Sequence, residues 1–101
     1  MSERDELLAV ADRIERLAGA STGGDWRGGG LLATRPDVVA HFADGSTEHV
    51  AEARARSARW IAVFSPAVAG PLVEWLRSAA RAAEVDPAAL ALARVVQERL
   101  G

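Results

Sequence analysis

Two stretches of helical periodicity separated by a Ser-Pro break constrain this chain more than any other feature. Before the break, positions spaced by three and four residues predict one face of a helix, made of Ala53, Ser57, Trp60, Ile61 and Phe64. After the break, the pattern recurs in Val68, Leu72, Trp75, Leu76, Ala79 and Ala83. Residues 51–84 therefore predict two amphipathic helices joined by a tight corner, with the aromatic rings in the core.

The corner between these helices contains two prolines, which allow two interpretations. Ser65 can cap a helix, and Pro66 fits the first helical position because that position needs no N–H donor. If the helix starts there, Pro71 lies inside it and must kink it. Otherwise residues 65–70 form a turn and the helix starts at Pro71. We favour the continuous but bent helix.

Helices are also predicted at both ends of the chain. Residues 2–18 carry a helical apolar stripe, with Ser2 as the N-cap and Gly19 as the stop. The last helix begins at Asp86 and Pro87, a capping residue followed by proline at the first position, and it runs to the terminus.

The segment over residues 19–30 is rich in glycine, whose conformational freedom makes a regular element unfavourable. It contains neither the Walker nor the dinucleotide-binding fingerprint. We therefore interpret it as a connector pinned by a buried Trp26.

From residue 31 the periodicity becomes that of strands. We predict a short strand over residues 31–34, and a hairpin that pairs residues 38–43 with residues 46–50. The hairpin is centred on Asp44 and Gly45, which form one of the strongest short-range turn signals.

A two-residue hairpin loop sets the predicted pairing of the two histidines. His41 would lie opposite Glu48, and Ala40 opposite His49, which places the histidines on opposite faces. His41 beside Glu48 resembles half of a catalytic or metal-binding arrangement, but no nucleophile lies nearby in sequence and a metal needs three or four ligands. We interpret the pair as a solvated contact, and expect no catalytic residue, metal or cofactor.

Together these elements predict an α+β fold in a single domain over residues 1–101. The order is an N-terminal helix, a small antiparallel meander or hairpin, and three helices packed on the sheet. A chain of 101 residues buries roughly two thirds of its unfolded surface, which supports a modest core and argues against a large internal cavity.

The amino-acid composition limits the class of protein and its expected cellular location. No cysteine is present, which excludes disulfides and thiolate chemistry. The 12 basic residues are all arginine, a bias that suggests a high-GC genome such as that of an actinobacterium. The net charge of −2 and the pI near 5.6 disfavour a nucleic-acid binder. No apolar run reaches the roughly 20 residues that cross a bilayer, so we expect a soluble, cytoplasmic protein.

Arginines near the start of the central helix are candidate contacts for phosphate or for an acidic partner. Helical geometry spreads Arg54 and Arg56 about 160° apart, so a solvated face is the simpler interpretation. The candidate binding set is Arg54, Arg56, Arg59, Trp60, His41 and Glu48.

Four helices and a hairpin give this short chain more apolar faces than it can cover by itself. We therefore predict a homodimer with a two-fold contact through the alanine-rich last helix, where small residues allow close approach. The interface stripe is Leu92, Val95, Val96 and Leu100.

Two segments carry a family resemblance, STGGDW at residues 21–26 and ARSARWIAVFSPAVAGPLVEW at residues 55–75. They resemble small phage and prophage proteins of the Ead/Ea22-like type from actinobacteria. Those proteins combine an N-terminal helix, a Thr-Pro-Gly-Pro-Trp-like segment, a β segment and an Ala-Arg-x-Ile-Ala-x-x-x-Pro helical corner. The resemblance implies a phage-accessory protein and carries over no catalytic residues.

We therefore expect a non-enzymatic phage- or prophage-type interaction protein, a homodimer that binds a host protein. Two alternatives stay open. One is a small-nucleotide-binding module that sequesters a signal, and the other is a small enzyme using His41 and Glu48.

Overall fold

The computed structural model describes residues 1–28, 37–53 and 55–101. It confirms the predicted α+β class, with an N-terminal helix, a three-stranded antiparallel sheet and then helices. The elements in chain order are α1 (Glu3–Ala20), β1 (Asp25–Gly28), β2 (Asp37–His41), β3 (Thr47–Glu52), α2 (Ala55–Val63), a 3-10 helix (Pro66–Val68), α3 (Ala69–Arg81) and α4 (Pro87–Leu100). The strand predicted over residues 31–34 lies outside the described residues.

The chain folds as two compact units. The helical unit comprises residues 1–18 and 69–101, and the sheet unit comprises residues 19–68. The prediction of one domain over residues 1–101 stays a prediction.

The helical unit buries a core of small and medium-sized side chains contributed by α1, α3 and α4. Alanine at many of the contact positions lets the helices approach closely. The buried cluster consists of Leu7, Val10, Ala11, Val73, Leu76, Ala79, Ala80, Ala89 and Ala93.

Capping residues fix the N-terminal ends of α1 and α4 as the sequence predicts. The Ser2 hydroxyl accepts from the Asp5 N–H at 3.1 Å, and Asp86 Oδ1 accepts from the Ala88 N–H at 2.9 Å. Helix α1 continues past Gly19 to Ala20, one residue beyond the predicted stop.

At the corner the helical segment starts at Pro66, as the favoured interpretation has it, but its first turn is 3-10 and it becomes α-helical only at Ala69. A kink at Pro71 stays a prediction. Pro66 opens a 3-10 helix, whose start Ser65 caps by accepting from the Ala67 N–H at 3.3 Å. Helix α3 begins at Ala69, which makes Pro71 its third residue. The first four N–H groups of a helix have no intrahelical acceptor, so the missing donor of Pro71 removes no bond.

The sheet unit contains the meander β1-β2-β3, in which all neighbours are antiparallel. Strand β1 lies inside the glycine-rich segment that was predicted to be a connector. The segment forms a strand because residues 25–28 pair in register with residues 38–41 of β2. Trp26 is half-buried, and its indole N–H donates to the Thr22 carbonyl at 3.0 Å.

Helix α2 packs closely on β1 and β2 of this sheet through small residues. A Cβ atom added to Gly28 would lie 2.9 Å from the backbone carbon and oxygen of Ala58, a distance that real Cβ atoms do not reach. Ala58, Val38 and Ala40 are buried. The glycine and the alanines thus allow the helix backbone to approach the sheet.

The hairpin loop is longer than the predicted two residues, so the predicted register was wrong. Phe42 and Ser46 are joined by a backbone bond of 3.0 Å from the Phe42 N–H, and Gly45 adopts a φ of +86° between them. The Asp44 carboxylate fixes the turn by accepting from the N–H and the hydroxyl of Ser46, at 2.9 and 2.6 Å. His41 consequently pairs with Thr47, and every pair next to the turn is shifted.

A bulge then reverses this shift further along the hairpin. Val39 pairs with His49, but Val38 pairs with Ala51. Val50 of β3 therefore has no residue opposite it in β2. Beyond the bulge the pairing is the one that a two-residue loop would have produced.

Candidate interaction surface on α2

Helix α2 points its large apolar side chains away from the sheet, which overturns the prediction that its aromatic rings lie in the core. Trp60 is 67% exposed, Val63 is 62% exposed and Phe64 is 56% exposed. On α3, Trp75 is also 40% exposed. The reason is the close approach at Gly28, which selects the small side of α2, with Ala58, as the buried side.

Five exposed residues share one continuous face of α2 and its last turn. At about 100° per residue they span an arc of about 140°, while the buried Ala58 projects on the opposite side of the helix. In order around the arc they are Arg59, Val63, Arg56, Trp60 and Phe64, and we call this face the α2 surface.

The aromatic part of the α2 surface is held in a defined geometry. The ring centroids of Trp60 and Phe64 are 4.4 Å apart, with the ring planes tilted by 36°. The Phe64 N–H donates to the Trp60 carbonyl at 3.1 Å, which continues the helical turn beyond Val63. Aromatic pairs at such distances attract each other, so the two rings form one apolar patch.

The arginines of the α2 surface have no partner within the described residues. Neither Arg56 nor Arg59 forms a hydrogen bond or an ion pair with the residues that the structure describes. Helix α2 contains no acidic residue. Arg54, the third predicted arginine, lies outside the described residues. The described α2 surface therefore carries positive charge beside an exposed aromatic pair.

Arg77, by contrast, is fully engaged inside the helical unit. It donates to Glu15 and Asp12 of α1 at 3.0 Å each. The hydrogen bond to Glu15, and to a smaller extent the one to Asp12, raises the pKa of its guanidinium above the ordinary value. Arg77 therefore links α3 to α1 through ion pairs.

The predicted pair of His41 and Glu48 does not form, because Glu48 lies opposite Ala40. Residues directly opposite in an antiparallel pair share a face, so His41 and Glu48 lie on opposite faces of the hairpin. The shifted register instead places both histidines on the same exposed face, where His49 Nε2 lies 3.6 Å from Asp37 Oδ2. Among the described residues, no three histidine, aspartate or glutamate side chains are grouped so that they could hold a metal ion.

The stripe predicted as a dimer interface on α4 is divided between core and surface. Val96 packs against the core of the helical unit, and Leu100 is half-buried. Leu92 is half-buried as well. Val95 is 55% exposed and is the member that remains accessible.

A shallow groove of about 300 Å³ lies between α1 and α4 in the helical unit. Its apolar lining includes Val10 and Ala93, and its rim carries the ion pair of Glu6 with Arg94, 3.1 Å long. The two charges on the rim are paired with each other. The hydrogen bond from Arg94 is the main reason why the pKa of Glu6 is lowered.

No family model, curated protein or solved structure matches this chain. Its function therefore has to be inferred from the chemistry of its own surface. None of the helices in the described ranges combines the length and the apolar character that a bilayer span requires. Sequence reasoning identified Trp60, Arg56 and Arg59 as candidates but missed Val63, whose spacing of three residues from Trp60 places it on the same face.

Proposed function

We propose that this chain is a non-enzymatic, cytoplasmic interaction protein that binds a host protein through the α2 surface. The observation that carries the proposal is the exposed pair of Trp60 and Phe64 with two arginines beside it that have no partner among the described residues. Tryptophan and arginine are enriched among the residues that dominate binding energy at protein interfaces. Clustered exposed apolar rings mark interaction sites more often than isolated ones do.

The phage or prophage setting of the proposal rests on the sequence resemblance. The first segment that carries it, residues 21–26, lies in the sheet unit, and the second, residues 55–75, runs from the sheet unit into the helical unit. The second of them includes the whole α2 surface.

A crosslinking experiment tests binding through this surface. A photoreactive amino acid replaces Val63 on the α2 surface or, as a control, Glu98 on the exposed side of α4. On irradiation in cells that express the chain, we expect a protein adduct at position 63 that is absent at position 98. The double variant W60S/F64S should remove the adduct. Equal labelling at both positions would refute the proposal.

Homodimer formation is proposed as well, through the exposed part of α4 around Val95. Light scattering coupled to size exclusion should give a dimer mass for the wild type and a monomer mass for Val95→Glu. A wild-type monomer at every concentration would remove this part of the proposal and would leave binding through α2 unaffected.

Small-nucleotide binding is the second candidate, favoured by an exposed indole beside two guanidinium groups without partners among the described residues. Trp60 can stack on a base, and Arg56 or Arg59 can bind a phosphate. Calorimetric titration with mononucleotides and cyclic dinucleotides tests this candidate. A saturable heat that Trp60→Ser abolishes would replace the protein-binding proposal.

A further inference from the structure

We infer that the α2 surface binds an acidic amphipathic helix of a partner protein, an inference that rests on the proposed function. The chemistry of the partner follows from the shape and the charge of the five exposed residues of the α2 surface, which lies in the sheet unit.

The shape of the surface suits a helical partner. Trp60, Val63 and Phe64 stand at positions i, i+3 and i+4, which makes a short ridge along a convex helix face. Such ridges fit the grooves between side chains of a second helix. A partner helix with its own apolar stripe would cover the rings and leave its flanks beside the arginines.

The charge of the surface selects acidic flanks on that partner helix. Arg56 and Arg59 lie on the same arc as the rings and have no ion-pair partner among the described residues. Glutamate or aspartate beside the partner's apolar stripe would supply the missing negative charge. Charge complementarity of this kind raises association rates and disfavours wrong partners.

A second copy of this chain is a poor occupant of the same surface. In a two-fold contact through α2, each surface meets its own copy, so the arginines of one chain would face those of the other. Helix α2 has no acidic residue to offset this repulsion. The proposed dimer contact at Val95 lies on a different helix, in the helical unit.

Selection from helical display libraries tests the inference. Two libraries share randomised apolar positions at i, i+3, i+4 and i+7 and differ only in their flanking positions, which are all glutamate in one and all lysine in the other. Peptides are selected on the wild-type chain at about 0.15 M salt, and the affinity of each binder for the W60S/F64S variant is then measured. The variant is first shown to unfold at the wild-type urea midpoint.

We expect the glutamate library alone to yield binders. Because the surface is small, their dissociation constants should be micromolar, as in transient complexes. The W60S/F64S variant should lose at least about 30-fold in affinity, as expected for aromatic residues at the centre of an interface.

The arginines are tested separately with the selected peptides. Each of Arg56→Gln and Arg59→Gln should weaken binding by about two- to five-fold, the range of exposed ion pairs, and higher salt should reduce the difference. The matched control is R16Q/R99Q, which removes two exposed arginines of the helical unit and should change nothing.

Several results would overturn the inference. These are enrichment of the lysine library, no enrichment from either library, or arginine variants that bind as the wild type does. Tighter binding of a single-stranded DNA oligonucleotide, or of vesicles with equal phosphatidylcholine and phosphatidylglycerol, lost in R56Q/R59Q, would assign the surface to another partner class. An adduct at position 63 without acidic binders would leave the proposed function standing and remove only its partner class.

Discussion

Arg4 of α1 closes the C-terminal end of α3. Its guanidinium donates to the carbonyl oxygens of Ala80, Ala82 and Ala83, which lie at the end of that helix. The last carbonyls of a helix lack intrahelical donors and carry partial negative charge, so a cation there stabilises the helix. No local pattern predicts this contact, because Arg4 and the carbonyls are almost 80 residues apart.

We expect Arg4→Gln to lower the free energy of unfolding by about 1.5–2 kcal/mol, the lower part of the range for charged hydrogen bonds, because the site is partly exposed. Urea unfolding followed by circular dichroism gives the value. Arg16→Gln, an exposed position on the same helix, is the control and should stay within about 0.5 kcal/mol of the wild type. Equal midpoints for the two variants would show that Arg4 is not a structural contact.

Gly28 is the residue that sets the distance between α2 and the sheet. Gly28→Ala forces a methyl group into the backbone of Ala58 and should cost about 1–3 kcal/mol, as overpacking does. Gly19→Ala, with nothing within 4 Å of the new Cβ and a helical backbone, should be neutral or stabilising by up to about 1 kcal/mol. Thermal unfolding of both variants makes the comparison, and a neutral Gly28→Ala would contradict the close packing.

At the level of single elements, α2 shows why periodicity alone misplaces a helix. The stripe of Trp60 and Phe64 and the stripe of Ala58 and Ile61 both recur at helical spacing. The aromatic stripe would bury the larger apolar surface, but only the stripe of small residues with Ala58 fits against Gly28. The sheet therefore selected which face is buried, and the aromatic face remained exposed.

Helix α4 offers two neighbouring valines with opposite environments. Val96→Glu should destabilise the helical unit by about 1–3 kcal/mol, because the partly buried Val96 packs on the core and a carboxylate there loses part of its hydration. Val95→Glu should lower the urea midpoint far less, because Val95 is exposed on the chain and the variant loses only the proposed dimer contact. If both variants unfolded at the same denaturant concentration, the orientation of α4 would be wrong.

For the molecule as a whole, two carboxylates link stability to pH. The hydrogen bond from Arg94 lowers the pKa of Glu6 below its ordinary 4.5, and hydrogen bonds from Ser46 lower that of Asp44 below 3.8. A group whose folded pKa is depressed stabilises fully above its unfolded pKa and loses that contribution as pH falls through the folded pKa.

Stability should therefore be flat above about pH 5 with respect to these two groups, begin to fall as the pH drops below 4.5 and 3.8, and continue to fall through the lower folded pKa values. The double variant E6Q/D44N should show a shallower decline in unfolding midpoint across this window. Glu98→Gln, which removes an exposed carboxylate, is the control. A decline as steep as that of the wild type would show that neither hydrogen bond persists in solution.

Local signals in the sequence were sufficient to predict the helices, the N-caps of α1 and α4 and the position of the hairpin turn. Ser2, Asp86 and the Asp44-Gly45 turn act within a few residues, so their effects can be read without knowledge of the fold. The α+β class follows from the order of those elements.

The strand at residues 25–28, the hairpin register and the exposed face of α2 required the folded structure. Each depends on a partner distant in sequence or on the exact length of a loop: the pairing with β2, the bond between Phe42 and Ser46, and the approach of Ala58 to Gly28. Trp60 and Phe64 were identified in the sequence, but their place changed from the core to the surface, because burial depends on which face of a helix its neighbour can accommodate.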